Sequence, residues 1–438
     1  MGLAAAAAFA AAQPAAAQST WSAPQRVAVE GASQFSSLRL AVAADGRALL
    51  VWATRRPEYA IRAVDIAADG TIGRPVRVTP PGERASGPQV GLARGGEAVV
   101  AWRSGRARDR SVKAAFRGAG ASSFGAPVRL SPAGGRSLLT GLDMAPDGHA
   151  TAAWLRRSGR RWRVQVAERR PGGAFGAPRT LSPLGAGPAS VAVAANGSRV
   201  VVWDRATLAP GRSVVEAATA DAGGAFSARR RLSGAVTAFA PRVGVDANGG
   251  AIVAWPARQG SAHLLQAVVR RSSAEPFGTL ATIASATGRD AGFSEAEAAI
   301  DAGRALATWS DFGEDPTVVR VARTDPSGAW SAGEQVSDDR SAAYTPEVRA
   351  AGGRAVVVWD DIPQDSPSRS GHLAASVSDG GPWSAPRTVS DPALILQSAT
   401  SPRLAVAPDG TALAAYVDYG FEPDSGRGQL SVVRLPPG

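Results

Sequence analysis

Residues 39–54 read RLAVAADGRALLVWAT, two short apolar segments separated by an Asp-Gly pair. This pattern is typical of a β-hairpin, because Asp-Gly readily adopts the positive φ values that a two-residue hairpin turn requires. The same phrase recurs as RVGVDANGGAIVAWPA at 242–257 and as RLAVAPDGTALAAYVD at 403–418. A repeated hairpin is therefore the unit that decides the fold.

The aromatic residue of this hairpin recurs at nearly constant spacing along the 438 residues. Its eight positions are Trp52, Trp102, Trp154, Trp203, Trp255, Trp309, Trp359 and Tyr416. The intervals range from 49 residues (Trp154 to Trp203) to 57 residues (Trp359 to Tyr416). A period of this length indicates a repeat architecture in which each repeat is one structural unit.

Each repeat predicts four short strands. The hairpin supplies the first two strands, and an alternating segment such as RVQVAERR (163–170) supplies the third. The fourth begins with an aromatic residue, two small residues and a proline, as at 124–127 and 383–386. A proline suits an outer strand, where its missing N–H donor leaves no ladder bond unmade.

The two ends of the chain carry complementary half-repeats. Residues 21–29 (WSAPQRVAV) correspond to a fourth strand alone, and residues 429–438 (QLSVVRLPPG) to a third strand without a fourth. We expect the N-terminal strand to complete the last sheet and close a ring, which argues against a linear β-solenoid. The predicted fold is all-β, a single eight-bladed β-propeller over residues 18–438, with seven blades as the alternative.

Residues 1–17 predict an export signal. They form an Ala-rich apolar run, and Ala15 to Ala17 fit the small residues that precede a signal-peptide cleavage site. The usual positive N-terminal region is missing, which suggests that the signal begins upstream of Met1. No later stretch approaches the roughly 18 apolar residues of a transmembrane helix. We therefore expect a mature chain that is secreted or associated with the cell envelope.

The composition excludes several classes of protein. The chain contains no cysteine, which excludes disulfide frameworks, zinc ribbons, iron–sulfur ligation and thiol nucleophiles. Its formal net charge is +11, and Lys113 is the single lysine among 48 basic residues. Such a bias toward arginine is typical of GC-rich coding sequence, so we do not take the net charge as evidence of specific nucleic-acid binding.

One turn between a third and a fourth strand carries a recognisable motif. Its residues are Thr219, Asp221, Gly223 and Phe226, in the pattern Ser/Thr-x-Asp-x-Gly-x-x-aromatic. This pattern resembles the Asp box of the sialidase-like (BNR-repeat) β-propellers. Residues 325–330 keep only its Asp-to-aromatic spacing, and residues 378–383 form a shortened version. The resemblance covers the repeat architecture. It implies that the aspartate caps the turn and that the aromatic ring is buried.

The resemblance does not extend to catalysis. The chain lacks the Arg-Ile-Pro motif of sialidases, and the enzymes of that family have six blades. Of the tyrosines Tyr59, Tyr344, Tyr416 and Tyr419, none is identifiable as a nucleophile, and Tyr416 occupies the position of the repeated tryptophan. No catalytic residue is assigned. A binding or scaffold module is the preferred function, and a sialidase-like glycoside hydrolase or a polysaccharide lyase on the same ring is the alternative.

The loops between second and third strands are predicted to lie on one face and to differ in charge around the ring. Blades 1 to 3 carry Arg55, Arg56, Arg103, Arg106, Arg108, Arg110, Arg156, Arg157, Arg160, Arg161 and Arg163 against Glu58 and Asp109. Blades 6 to 8 carry Asp311, Glu314, Asp315, Asp360, Asp361, Asp365, Asp418, Glu422 and Asp424 against Arg369 and Arg427. Half of this face should be positive and half negative.

The charged face is the predicted ligand-binding site. Its candidate residues are Arg103, Arg106, Arg156, Arg157, Arg160, Asp311, Asp360, Asp361 and Asp418. Because guanidinium groups match carboxylate and phosphate geometry, we expect the arginine half to bind a glycan, an anionic polymer or a protein at the cell envelope. Solvated loop charges without function are the alternative. We expect the protein to be a monomer.

No resident metal or other cofactor is expected. Asp311, Glu314 and Asp315 are weak candidates for calcium ligands, but they lack a complete calcium-loop pattern. His149, His263 and His372 fall in three separate repeats, which argues against a shared histidine site.

Overall fold

The computed structural model describes residues 20–31, 35–55, 58–106, 109–209, 211–234, 236–288, 292–364, 371–392, 402–419 and 427–438. The predicted export signal at 1–17 lies outside these residues. So do the charged residues Arg56, Arg108, Asp365, Arg369, Glu422 and Asp424.

The described residues form eight antiparallel sheets, each of which is one blade of a ring. Blade 1 comprises strands Phe35–Val42, Ala48–Thr54, Ala60–Ile66 and Val76–Arg77, and blade 2 comprises Ala85–Leu92, Ala98–Ser104, Ser111–Arg117 and Val128–Arg129. Blade 3 comprises Ser137–Met144, Ala150–Ser158, Arg161–Arg169 and Arg179–Thr180, and blade 4 comprises Ala186–Val193, Arg199–Ala206, Ser213–Ala220 and Arg230–Arg231. Blade 5 comprises Thr237–Ala238, Arg242–Val245, Ala251–Gln259, Ala262–Arg270 and Ala281–Thr287, and blade 6 comprises Phe293–Asp301, Arg304–Asp311, Val318–Arg323 and Glu334–Gln335. Blade 7 comprises Ser341–Ala351, Arg354–Pro363, His372–Ser378 and Arg387–Thr388, and blade 8 comprises Arg403–Val406, Ala412–Tyr419, Arg427–Leu435 and Gln25–Gly31. One 3₁₀ turn spans Arg94–Gly96. The predicted all-β, eight-bladed propeller is confirmed.

The N-terminal strand closes the ring, as the half-repeats predicted. Strand Gln25–Gly31 pairs antiparallel with Arg427–Leu435, with Gln25 opposite Val432 and Gly31 opposite Arg427. Just before it, Ser22 exchanges two hydrogen bonds with the backbone of Arg434, at 2.7 and 3.0 Å. The last blade is therefore built from both ends of the chain.

The repeated aromatic residues join each blade to the one before it. All eight side chains are at most 1% exposed. Trp102 of blade 2 lies in a buried cluster with Val51 of blade 1, and Trp203 of blade 4 lies with Leu155 of blade 3. Trp52 of blade 1 shares a cluster with Leu413 of blade 8, so the same contact also completes the ring.

The fourth strands are shorter than the sequence pattern suggested. Most of them contain two paired residues, and the proline of the aromatic–small–small–Pro step precedes the strand, as Pro127 precedes Val128–Arg129. In blade 5 the first strand is interrupted between Ala238 and Arg242, where Ala240 has a φ of 47° and Pro241 follows. The proline at that position has no N–H to continue the ladder.

The alternating strand direction gives the ring two faces. We call the face with the second-to-third-strand loops and the connections between blades the loop face, and the opposite face with the Asp-Gly-type hairpins the turn face. On the turn face, buried arginines pair with carboxylates of the preceding blade: Arg117 with Asp65 at 2.6 and 2.7 Å, and Arg199 with Glu168 at 2.6 Å. The turn-face arginines therefore support the same blade-to-blade order as the tryptophans.

Removing the closing strand should destabilise the ring. A chain that starts at Thr20 keeps strand Gln25–Gly31, whereas a chain that starts at Ala32 lacks it. We expect the shorter chain to lose several kcal/mol of unfolding free energy, since strand pairing and the packing of the half-buried Trp21 are both lost. Thermal unfolding of the two chains measures the difference, and equal melting temperatures would contradict closure by this strand.

Candidate functional site

Exposed arginines collect on the loop face of blades 2 and 3. We define the arginine surface as Arg106, Arg157, Arg160, Arg161 and Arg163, all of which are exposed. Arg106 follows the second strand of blade 2, and the other four lie at or beside the turn between Ala150–Ser158 and Arg161–Arg169. The two strands of this hairpin remain paired up to the two-residue turn at Gly159 and Arg160, where Ser158 lies opposite Arg161.

The residues that the structure describes do not neutralise the arginine surface. Within the described part of the chain, none of its five arginines lies within 4.0 Å of a carboxylate oxygen. The only hydrogen bond that their side chains make there is a local one, from Nε of Arg157 to the carbonyl of Gly159 at 3.0 Å. Their charge is therefore available to a partner in solution.

Arg156 has a different role from its neighbour Arg157. Its guanidinium donates to the carbonyls of Pro132, Ala133 and Gly135 at 3.2 to 3.3 Å and to Oγ of Ser137 at 3.2 Å. These contacts hold the connection between blades 2 and 3. The guanidinium of Arg156 is thus bound within the protein, although the sequence analysis assigned Arg156 and Arg157 the same role.

Two arginine–aromatic pairs lie beside this surface. The guanidinium of Arg136 lies 5.5 Å from the ring centroid of Trp162, which is half-buried, and that of Arg84 lies 5.3 Å from the ring of Tyr59, which is 43% exposed. Stacked guanidinium and aromatic groups present both charge and apolar area. Sequence reasoning missed Trp162 because it assigned the recurring aromatic residues to the core. Trp162 does not follow the fifty-residue spacing of the core tryptophans, and this departure could have identified it as a residue outside the core.

The acidic half of the loop face is largely neutralised or buried. Asp311 and Glu314 both pair with Arg320, at 3.2 and 3.1 Å. Asp360 and Asp418 are 7% and 1% exposed. Oδ2 of Asp360 accepts a hydrogen bond from Oγ1 of Thr345 at 2.7 Å. The sequence predicted two opposed halves, and in the described residues the positive half is the more available to a partner.

Asp361 and Asp418 both lie in strands and not on an open surface. Asp361 accepts a hydrogen bond from Nε1 of Trp359 at 3.2 Å, and burial raises its pKa. Burial also raises the pKa of Asp418 to about 7, and the nearby charge of Asp391 adds to this effect. Oγ of Ser431 donates to Oδ2 of Asp418 at 3.3 Å, which partly offsets the penalty.

The weak calcium candidates are not arranged as a binding site. Asp311 and Glu314 share Arg320 as a partner, and Asp315 is exposed. Across the residues that the structure describes, no group of three or more His, Asp or Glu side chains is placed to hold a metal ion. The described residues form no helix that is long and apolar enough to span a membrane.

The Asp-box-like turn differs from the arrangement that the resemblance implied. Phe226 is buried, and Arg199 stacks over its ring at 5.6 Å. The carboxylate of Asp221 makes no hydrogen bond to the described residues, and the turn is held by Arg199, whose Nη1 donates to the Asp221 carbonyl at 2.9 Å. In blade 6 the carboxylate of Asp325 does cap its turn, since Oδ1 accepts from the backbone N–H of Ala329 at 3.0 Å.

The centre of the ring is a polar channel. A cavity of about 820 Å³ is lined by the first strands of the blades. In each blade, one residue of the first strand is paired with the second-strand residue that immediately precedes the repeated aromatic. These eight first-strand residues are Arg39, Gln89, Gly141, Ser190, Arg242, Glu297, Glu347 and Arg403. We call this set the channel ring.

Charged members of the channel ring are linked from blade to blade. Nε of Arg242 donates to Glu297 at 2.9 Å, and Arg349 contacts both Glu347, at 2.7 Å, and Glu297, at 3.8 Å. The other oxygen of Glu347 accepts the backbone N–H of Leu404 at 2.6 Å. Blades 5 to 7 therefore contribute arginines and carboxylates that neutralise one another.

Asp143 lies in the same channel on blade 3. Its carboxylate accepts backbone N–H groups of Val193 and Met144 at 2.7 and 2.9 Å. Burial raises its pKa to about 6, and these two hydrogen bonds and the positive charge of Arg349 limit the rise.

Comparisons with known proteins identify the fold and leave the ligand open. No protein-family model matches the sequence. No curated protein sequence matches it either. Among solved structures, the chain is similar to the BP39L lectin from Burkholderia pseudomallei, with a TM-score of 0.53, 15% identity, and coverage of 81% of this chain and 100% of the lectin.

Other structures share the architecture over different lengths. One chain from a structural and mechanistic analysis of two prolyl endopeptidases gives a TM-score of 0.50 at 15% identity over 89% of this chain, which spans 54% of the endopeptidase chain. A polysaccharide lyase, the PL25 ulvan lyase, gives 0.47 at 12% identity over 92% of this chain and 95% of the lyase. The likeness to the lectin and to the endopeptidase chain supports a shared β-propeller fold. The sialidase-like (BNR) assignment stays a prediction.

The buried Asp418 should make stability depend on pH. Its pKa is higher in the folded chain than the ordinary value of about 3.9, so folding favours the protonated form and stability is lost as the pH rises from about 4 through 7. We expect Asp418→Asn to be more stable than the parent at pH 8, by on the order of 2–4 kcal/mol, and this gap to narrow toward pH 4.

Thermal unfolding at both pH values measures this gap. Asp109→Asn, which changes an exposed carboxylate, serves as the control and should differ little from the parent at either pH. If the difference in stability between Asp418→Asn and the parent is the same at pH 4 and at pH 8, then ionisation of the buried Asp418 carboxylate does not destabilise the folded chain, and the prediction is wrong.

Proposed function

We propose that the protein is an exported β-propeller that binds an anionic glycan or other polyanion through the arginine surface on blades 2 and 3. The observation that carries the proposal is the set of five exposed arginines without a carboxylate partner in the described part of the chain. The export signal expected at 1–17 supports a location outside the cytoplasm, at or near the cell envelope.

The chemistry of the surface suits a polymer with repeated negative charges. Four of the five arginines lie within the seven residues 157–163, so several can contact successive charged groups at once. Guanidinium groups bind carboxylate and sulfate or phosphate oxygens through paired donors. A positive surface of this kind also accelerates the encounter with an anionic partner, and both effects weaken as salt is added.

The neighbouring aromatic residues add a second kind of contact. Trp162 and Tyr59 expose part of their rings beside Arg136 and Arg84. Aromatic side chains provide apolar area against which the faces of sugar rings can pack. A charged glycan therefore fits this surface better than a simple polyphosphate, which has no apolar face.

Binding assays with matched variants test the proposal. We expect the chain from Thr20 to bind a sulfated or uronic acid-containing glycan and to bind a neutral glycan of equal length much more weakly. Arg157→Ala combined with Arg160→Ala should reduce affinity about tenfold, equivalent to about 1.4 kcal/mol. Titration calorimetry at two salt concentrations provides the measurement, with weaker binding expected at the higher concentration.

The control removes the same charge from the opposite face. Arg94 and Arg170 are exposed on the turn face, so Arg94→Ala combined with Arg170→Ala should leave affinity within twofold of the parent. Equal losses in the two double variants would show that only net charge matters and would overturn the assignment to blades 2 and 3. Cleavage of the glycan during the assay would favour the lyase or hydrolase alternative.

A further inference from the structure

Three arginines from neighbouring blades converge on one side of the channel. Arg39 lies on blade 1, Arg403 on blade 8 and Arg103 on blade 2, and all three line the central cavity of about 820 Å³. Arg39 and Arg403 occupy equivalent positions of the channel ring, while Arg103 comes from the second strand of its blade. We call these three residues the arginine arc.

Two members of the arc meet at a single backbone carbonyl. The Leu38 carbonyl accepts a hydrogen bond from Nη1 of Arg39 at 2.6 Å and another from Nε of Arg403 at 3.0 Å. Two positive groups are thereby held close to each other by one neutral acceptor. Such a placement costs electrostatic energy unless a negative group lies nearby.

The remaining partners of the arc are also neutral. Arg39 donates to Oε1 of Gln89 at 3.0 Å, Arg403 to the Pro402 carbonyl at 2.7 Å, and Arg103 to the Leu139 carbonyl at 3.1 Å. None of the three forms an ion pair with a described residue. On the opposite side of the channel, Arg242 and Arg349 do pair with carboxylates, at 2.9 and 2.7 Å.

The electrostatics agree with this geometry. Burial and the positive charge of Arg403 lower the pKa of Arg39 to about 9, and Glu347 and Glu297 only partly offset the effect. Burial and the charge of Arg110 also lower the pKa of Arg103. An anion that enters the arc would remove this repulsion.

We propose that Arg39, Arg103 and Arg403 bind a tetrahedral dianion, a phosphate or sulfate group, within the central channel. Nη2 of Arg39, Nη2 of Arg403 and both Nη atoms of Arg103 have no hydrogen-bond partner in the described chain, and none of them is fully buried, so donors remain for the ligand. A dianion offsets two of the three positive charges, whereas a single carboxylate offsets one. This site is separate from the arginine surface and does not depend on the proposed function.

Thermal unfolding and calorimetry on the chain from Thr20 test the proposal with defined anions. At constant ionic strength, sulfate and inorganic phosphate should raise the melting temperature in a saturable manner and bind at least tenfold more tightly than acetate. Glucose 6-phosphate tests whether the group is bound as part of a sugar, and tighter binding than inorganic phosphate would identify an ester as the source. Equal effects of acetate and sulfate would overturn the proposal.

Two channel variants show where the anion binds. Arg403→Gln removes one charge from the arc and should weaken sulfate binding at least tenfold, whereas Arg242→Gln removes a paired arginine on the other side and should change it less than twofold. Circular dichroism before each titration confirms that the variants are folded. If Arg403→Gln fails to fold, Arg103→Gln replaces it, with the same expected loss. Equal losses in the arc and control variants would refute the site.

The arc and the arginine surface can be tested independently. Arg157→Ala combined with Arg160→Ala should retain the sulfate-dependent shift, and Arg403→Gln should retain binding to the anionic glycan. Loss of glycan binding by Arg403→Gln would place the glycan in the channel and contradict the separation of the two sites.

Discussion

The contact on which the structure depends is the packing of one buried aromatic residue from each blade against the preceding blade. Because the contact always points the same way around the ring, each blade completes the core of its neighbour, and no blade has a sufficient core of its own. Trp52 makes the contact with Leu413 of blade 8, and strand Gln25–Gly31 completes that blade. The chain has no cysteine, so no disulfide contributes to the closure of the ring.

Closure determines where the remaining charges can act. The first strands surround a channel, and one position per blade forms the channel ring. On the turn face, arginines such as Arg117 and Arg199 are buried between blades and paired with carboxylates. On the loop face, Arg106 of blade 2 and the four arginines at the hairpin of blade 3 are exposed. Arginines therefore stabilise the contacts between blades on the turn face and, in our proposal, bind a ligand on the loop face.

The sequence predicted the architecture well because the determinants of the fold are local and repeated. The tryptophan spacing and the half-repeat at 21–29 were sufficient to derive the blade count and the closing strand. Individual site residues were harder to derive, because their roles depend on contacts between blades. Arg156 and Arg157 are adjacent in sequence, yet the first binds loop carbonyls and the second is exposed. Nothing in the local sequence shows that Asp418 is buried or that Arg320 neutralises Asp311. The arginine arc could be predicted in part, since Arg39 and Arg403 both begin the first alternating segment of a repeat.

We propose that a polyanion contacts the loop face of blades 2 and 3. Hydrogen–deuterium exchange of the protein with and without a sulfated glycan shows which segments are contacted, and it needs no substitution. We expect slower exchange at residues 157–163 and in the segment that follows Ser104, with the turn-face hairpins at 45–47 and 94–97 unchanged. Slower exchange confined to the turn face, or to the loop face of blades 6 to 8, would show that the polyanion does not bind at the arginine surface.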